Sequence, residues 1–221
     1  MMQIVRKLGR KDFARYQDIF GIGSRTGIDF PGETTGLVYN EAQLNPVELA
    51  TSSFGQSVSV TMIQMAAGFS SLINGGTYYK PHLVKELVDD NGVVVEKKEP
   101  VIMKKTVTKD TSEFIQKTLY ETVEQGTGWR AKSEGYKMAG KTGTAQKLDN
   151  INGKLVRSDT NYVISFIGCA PYDNPQVVVY VAVDQPKVKD QTANGIASAL
   201  AEKVAENVFK VLGIYPEKTK E

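Results

Sequence analysis

The sequence predicts an α+β fold in which an antiparallel sheet is flanked by helices. Three observations carry that expectation. Two apolar runs, Asn161–Cys169 and Gln176–Asp184, are joined by the short turn Pro171–Pro175, which favours an antiparallel pair. Both runs are apolar on both faces, so layers are expected to cover the sheet on each side. Thr61-x-x-Gln64 and Asp110-x-x-Glu113 are capping patterns that open helical segments, and an amphipathic segment closes the chain.

Taken in order, residues 3–20 read as a short helix with Leu8, Phe13, Tyr16 and Phe20 in the core. Residues 21–48 are rich in Gly, Pro, Asn and Thr and read as a long ordered loop. A helix is predicted from the Thr61 cap to about Ile73, stopped by Asn74-Gly75-Gly76. Residues 82–104 read as a hairpin turning at Asp89–Gly92, with Val84/Leu87 and Val93/Val95 on its arms. The next helix carries Ile115, Leu119 and Val123 and ends at Gly126-Thr127-Gly128. Three strands follow, at 136–146, 161–169 and 176–184. The last helix, about 193–212, places Ile196, Leu200, Val204 and Val208 on one stripe that packs across the sheet.

Composition removes several function classes. The chain has 221 residues, 41% hydrophobic and 24% charged, which fits a globular protein. A net charge of +2, with Lys and Arg scattered among Asp and Glu, gives no argument for a nucleic-acid partner. One cysteine (Cys169) and one histidine (His82) cannot make an internal disulfide or a Cys/His zinc site. A Ser-His-Asp triad would have to use His82, which sits in a run that reads as a strand start. Residues 49–79 carry no charge, but recurring Ser, Thr and Gln argue against a membrane span. Met1–Lys7 has no apolar core, so it does not read as a signal peptide, and the chain taken alone is expected to be soluble and cytoplasmic.

One lysine has two readings. Gly135–Thr142 fits the P-loop pattern G-x-x-x-x-G-K-[ST], and Val177–Asp184 has the form of a Walker B strand. A P-loop needs a buried strand before the glycines and a helix directly after Lys-Thr. Trp129–Glu134 is too polar for that strand, and Gly143–Gly153 starts no helix. The second reading is the K-T-G triplet of penicillin-interacting serine acyl-transferases, here Lys141-Thr142-Gly143. On a strand, Thr142 and Thr144 share one face and Lys141 takes the other. Two hydroxyls near a cation make a receptor for a substrate carboxylate, and Gly143 lets a substrate backbone approach. A free strand edge can hold a peptide, and the Thr144 N–H can help bind an oxyanion. The plainer alternative is a lysine and two threonines on an exposed strand.

Further segments resemble class B penicillin-binding proteins of the division and sporulation type. They are Phe20–Glu33 (FGIGSRTGIDFPGE), Thr51–Thr61 (TSSFGQSVSVT), Asn74-Gly75-Gly76 with Lys80-Pro81-His82, Gly126-Thr127-Gly128, and Ala139–Gln146 (AGKTGTAQ), in the family's order along essentially the whole chain. The resemblance implies the penicillin-binding protein/β-lactamase-like transpeptidase fold. It also implies peptidoglycan D,D-transpeptidation through a serine acyl-enzyme, with no metal or organic cofactor. Stem peptides and β-lactams are the implied ligands, and the cell-wall synthesis machinery the implied partner. The implied location is the extracytoplasmic face of the membrane. Lys141 is the implied catalytic residue. Thr142, Gly143 and Thr144 are implied to bind substrate, with Thr127 and Gln146 as further candidates.

The chain departs from the family in one respect. No S-x-x-K and no S-x-N occurs in it. In the family both lie upstream of the segment that begins here at Lys7-Leu8-Gly9. Residues 1–221 are therefore expected to be a partial transpeptidase domain, incomplete on its N-terminal side, without the nucleophile and its lysine. A membrane anchor and a non-catalytic domain are expected upstream. Thr77-x-x-Lys80 has the spacing of the first motif but reads as loop. A face of the sheet left uncovered would make such a piece prone to aggregate. Two other classes stay open: a non-catalytic remnant that folds or binds a partner, and the P-loop NTPase. Trp129 can cap a hydrophobic edge, although its place after Gly126-Thr127-Gly128 puts it near the strand that carries Lys141. Tyr162 and Phe166 are read as core.

Overall fold

Gly9 divides the expected first helix in two. At φ 81° and ψ 161° its backbone belongs to neither α1 (Met2–Leu8) nor α2 (Arg10–Ile19). A helical period read through this break assigns the wrong face. Val5 is buried instead, Leu8 and Tyr16 are exposed, and Phe13 and Phe20 are half-buried. The computed structural model, which describes residues 1–192 and 195–216, divides into two compact units, Met1–Ser112 and Glu113–Glu221.

In the first unit, Val5, Leu44 and Leu49 form a small core with Phe13, Ala14 and Tyr39 packed against it. The expected loop runs to Asn45, interrupted by a bridge between Leu37 and Ser59 and a 3-10 turn at Glu41–Gln43. An unexpected helix α3 (Pro46–Ser52) follows. Asn45 caps it by accepting from the N–H groups of Val47 and Glu48, and Pro46 fits the first turn, where no N–H is needed.

Helix α4 (Met62–Ile73) begins where the capping box placed it. Thr61 Oγ1 accepts from Gln64 N at 3.2 Å, and Gln64 Oε1 accepts from Thr61 N at 3.0 Å. Gln64 is fully buried, and its Nε2 donates to the carbonyls of Ser24 (2.7 Å) and Thr35 (3.0 Å). One side chain thus caps a helix and ties down the long loop.

Strand β1 (Thr77–Tyr79) pairs antiparallel with β4 (Ile102–Lys105), so Thr77-x-x-Lys80 begins in a strand, not in a loop. The hairpin is shorter than expected, β2 (Glu86–Val88) with β3 (Val94–Lys97). Its arms, with Leu87 and Val95, are exposed. His82 is exposed and precedes β2; it does not start a strand, because the Leu83 and Val84 N–H groups donate to the Asp29 carboxylate instead.

Helix α5 (Lys109–Gln125) starts one residue before Asp110. Thr108 supplies the cap, its Oγ1 accepting from Thr111 N at 3.2 Å. Asp110 sits inside the first turn, where its charge complements the helix dipole.

In the second unit, β5 (Ala139–Ile151), β6 (Lys154–Ala170) and β7 (Val177–Asp184) form one antiparallel sheet in the order β5-β6-β7. The first two strands are longer than expected. They meet at Asn152-Gly153, both at positive φ, a turn for which Asn-Gly is a standard signal. Helix α6 (Ile196–Leu212) covers one face of the sheet. Its buried stripe is Ala197, Ala201, Ala205 and Phe209, one position on from the predicted one, while Leu200 and Val204 are 42% and 46% exposed. Three alanines let the helix lie close on Phe166, Ile164 and Val179, so small residues and not the large apolar ones mark the contact. The predicted first residues of this helix, 193 and 194, lie outside the described residues. Among the described residues no helix is long and apolar enough to cross a membrane.

Candidate functional site

Gly140-Lys141-Thr142 lies inside β5, with no helix after it, so the P-loop geometry is not formed. Asp184, the Walker B candidate, is committed to an ion pair, its two oxygens 2.7 and 2.9 Å from Lys147 Nζ.

The register shows how the strand presents its side chains. Thr142 faces Phe166 and Thr144 faces Ile164 across the β5–β6 pair, so both threonines belong to the face that α6 covers. Gly140 stands opposite Gly168. A Cβ on Gly140 would strike the Phe166 ring and stand 2.6 Å from Ile167 O, so these glycines let the aromatic ring lie across the sheet. At Gly143 the constraint comes from within the protein. A Cβ there would stand 2.5 Å from Ser165 Oγ, so the bare backbone makes room for a neighbouring strand's hydroxyl. Among the described residues β5 has no strand partner on its outer edge.

Three of the candidate side chains converge. Lys141 reaches around the strand, and its Nζ donates to Thr142 O at 2.9 Å and to Thr142 Oγ1 at 3.4 Å. Thr142 Oγ1 in turn donates to Thr127 Oγ1 at 3.1 Å. Thr127 is placed by the end of α5, where the N–H groups of Gly126 and Gly128 both donate to Thr122 O at 3.1 Å. An ammonium and two hydroxyls in one hydrogen-bonded line suit an anionic oxygen ligand, because charge-assisted bonds are the stronger ones.

A cavity of about 330 Å³ opens beside this line. Thr127, Thr142, Gly143 and Thr144 form one side, Ile164 and Ser165 come from β6, and Gln191, Thr192 and the first turn of α6 close the other. Gln191 fixes that far wall, its Oε1 accepting from Tyr162 N at 2.8 Å and its Nε2 donating to Pro186 O at 3.1 Å. Ser198 donates to Gly195 O at 2.8 Å and holds the start of α6. The sequence offered no periodic or motif signal for Gln191, Ser198 or Ser165 as wall residues. Trp129 lines the same cavity. Gln146 does not reach it; its amide donates to Ser158 O at 3.1 Å and braces the bulge between Gln146 and Leu148. Phe166 is fully buried and Tyr162 packs against the core, as expected. Cys169 is buried, which pushes its thiol up to about 12 and leaves it unreactive near neutral pH.

Comparison with known proteins shows the family. The family model described as the penicillin binding protein transpeptidase domain matches residues 1–210. Stage V sporulation protein D of Bacillus subtilis (strain 168) is 41% identical over 218 residues, 98% of this chain and 33% of that protein. Penicillin-binding protein PbpB of Mycolicibacterium smegmatis is 32% identical over 212 residues, 92% of this chain and 32% of that protein. A crystal structure of penicillin-binding protein 3 from Mycobacterium tuberculosis, complexed with ampicillin, superposes with a TM-score of 0.86 at 29% identity, covering 99% of this chain and 49% of that one. The chain spans about a third of the length of these curated relatives.

Proposed function

The chain belongs to the penicillin-binding protein transpeptidase family, in its class B branch of division and sporulation type, and from that premise we propose that it is part of a peptidoglycan D,D-transpeptidase that works through a serine acyl-enzyme. The observation that carries this reading is the line Lys141–Thr142–Thr127 on the rim of the cavity. Lys141 is the catalytic cation. Thr142, with Thr127 behind it and Thr144 along the strand, receives the terminal carboxylate of a stem peptide or of a β-lactam. Gly143, bare opposite Ser165, leaves the backbone open to substrate there, and the outer edge of β5 is free among the described residues to take an extended peptide by strand addition. Gln146 supports the strand from a distance.

The serine that would be acylated is not supplied by any S-x-x-K in these 221 residues. We therefore assign residues 1–221 the role of a partial transpeptidase domain. It holds binding groups and has no acyl-transfer activity of its own. The whole enzyme is assigned to the extracytoplasmic face of the bacterial membrane, among the cell-wall synthesis machinery.

Fluorescence anisotropy of a fluorescent penicillin titrated with the purified chain, followed by denaturing electrophoresis of the same mixture, tests the assignment. The expected result is reversible binding that Thr142→Val weakens, with no covalent label. A label that survives denaturation would overturn the statement about the nucleophile. Binding indifferent to Thr142→Val would overturn the site itself.

A further inference from the structure

The β2–β3 hairpin of the first unit is not covered by anything. Every residue from Lys85 to Pro100 is exposed, Leu87 at 47% and Val88 at 54%. Two antiparallel strands alone are barely stable in water, and further strands are what make such a sheet hold. Neither strand has another partner among the described residues, so both outer edges present unpaired N–H and C=O groups.

The outer edge of β2 is complementary to itself about a two-fold axis. Lys85 O accepts from Lys98 N and Asp89 N donates to Val93 O, both at 2.9 Å, so these residues turn their backbone groups toward β3. Alternation then turns the backbone groups of Glu86 and Val88 outward. Let a second copy run antiparallel with the axis at Leu87. Glu86 of each copy then faces Val88 of the other, and each such pair can exchange two hydrogen bonds. Side chains alternate along a strand, so Lys85, Leu87 and Asp89 share one face. The same axis sets Leu87 against Leu87 and each Lys85 directly opposite an Asp89 of the other copy, a favourable cross-strand pair. The Asp89 carboxylate is already held in place, its Oδ1 accepting from Asn91 N and Val93 N at 2.9 Å.

The outer edge of β3 lacks this symmetry. Val95 is an extra residue there, a bulge against the step from Leu87 to Val88. An axis at Glu96 or at Lys97 would set like charges opposite each other, which is destabilising. Those charges are also paired along the strand, Lys97 with Glu99 at 3.4 Å and Lys98 with Glu96.

We infer that the outer edge of β2 is an interaction surface for a second copy of this chain, the two paired antiparallel about Leu87 into one four-stranded sheet. The contact is short, since β2 has three residues, and its dissociation constant is expected in the range of about 0.1–1 mM.

Disulfide trapping reads this contact at low concentration. Leu87→Cys places one thiol on each side of the axis, at a non-hydrogen-bonded pair whose Cα atoms stand about 4.5 Å apart, within the reach of a disulfide. Val88→Cys places its two thiols on a diagonal, about 7–8 Å apart. Under mild oxidation Leu87→Cys is expected to give a covalent dimer on non-reducing electrophoresis about tenfold faster than Val88→Cys. Cys169 is buried, so the unaltered chain gives none. Adding Lys85→Glu to Leu87→Cys sets carboxylate against carboxylate and is expected to slow trapping about tenfold. Val88→Pro should do the same, and the strand tolerates it because the N–H it removes points outward. Sedimentation of the unaltered chain up to about 1 mM supplies the reversible readout. Its average mass should rise with concentration, and Val88→Pro should hold it at the monomer. Equal trapping at Leu87 and Val88, or a mass that stays monomeric, would overturn the inference. Association indifferent to both Lys85→Glu and Val88→Pro would also overturn it and move the contact to another surface, such as the free edge of β5.

Discussion

Gly143 and Ser165 stand opposite each other on β5 and β6, and a Cβ on Gly143 would come within 2.5 Å of Ser165 Oγ. The next nearest atom, Ser165 Cβ, is 3.9 Å away, so one hydroxyl sets the whole constraint. Gly143→Ala is expected to cost about 1 kcal/mol, the low end of overpacking, since a hydroxyl can rotate. Ser165→Ala should restore most of it in the double variant, read as a coupling in a double-mutant cycle of thermal melts. Gly140→Ala should cost more, about 3 kcal/mol, because its Cβ meets backbone at Ile167 and Gly168 as well as the Phe166 ring. Equal costs at the two glycines would show that the sheet relaxes around both.

The features legible in the sequence were those encoded by neighbours along the chain. Thr61 and Gln64 are three residues apart and form their cap locally, so the start of α4 was readable. The apolar runs of β6 and β7 with their short turn fixed the central antiparallel pair. Features that depend on close approach were not readable. Ala197, Ala201 and Ala205 carry no strong hydrophobic signal, yet they are the contact face of α6, and the larger Leu200 and Val204 point away. The K-T-G strand could be named from its letters. Its hydroxyl partner Thr127 was only a candidate, because 15 residues separate it from Thr142 and only the fold closes that gap. Gln191, 29 residues from the Tyr162 N–H it accepts from, had no sequence signal at all.

Gln64 is expected to be the most sensitive polar position of the first unit. Gln64→Ala removes the side-chain half of the capping box on α4 and leaves the Ser24 and Thr35 carbonyls without their amide donor. The expected loss is about 1–3 kcal/mol, from a weakened cap plus the two part-buried bonds of the amide. Chemical denaturation followed by a probe in the first unit measures it. A loss no larger than that of an ordinary surface substitution would mean that water replaces the amide.

Acid should loosen the loop that Glu33 and Asp29 hold. Burial pushes the Glu33 carboxyl up, but the Thr26 hydroxyl and the N–H groups of Thr26 and Gly27 outweigh it, and the group sits below its ordinary 4.5. Asp29 is held below its ordinary 3.8 chiefly by the Leu83 and Val84 N–H groups. Folded values below the unfolded ones mean that the stabilisation is complete above the unfolded values and is lost as pH falls through the folded ones. The melting temperature of the first unit is therefore expected to hold down to about pH 5 and to drop below it. Glu33→Gln should melt lower than the unaltered chain near neutral pH and converge with it in acid. Parallel curves at all pH values would remove Glu33 from the account.

The stripe of α6 makes the last prediction, because two readings of one helix give opposite results. If Leu200 and Val204 formed the contact, truncating them would open a cavity at a cost of about 2–5 kcal/mol. With both more than 40% exposed, Leu200→Ala should cost under about 1 kcal/mol. Ala201 is fully buried against the sheet, so Ala201→Leu must push the helix away from Phe166 and Ile164, at about 1–3 kcal/mol or more. The start of α6 also lines the cavity beside Thr142, so that displacement should weaken binding of a carboxylate-terminated peptide as well as lower the melt. A variant that lost stability and kept its affinity would show that the far wall of the cavity is set by Gln191 and its loop, independently of how the helix packs.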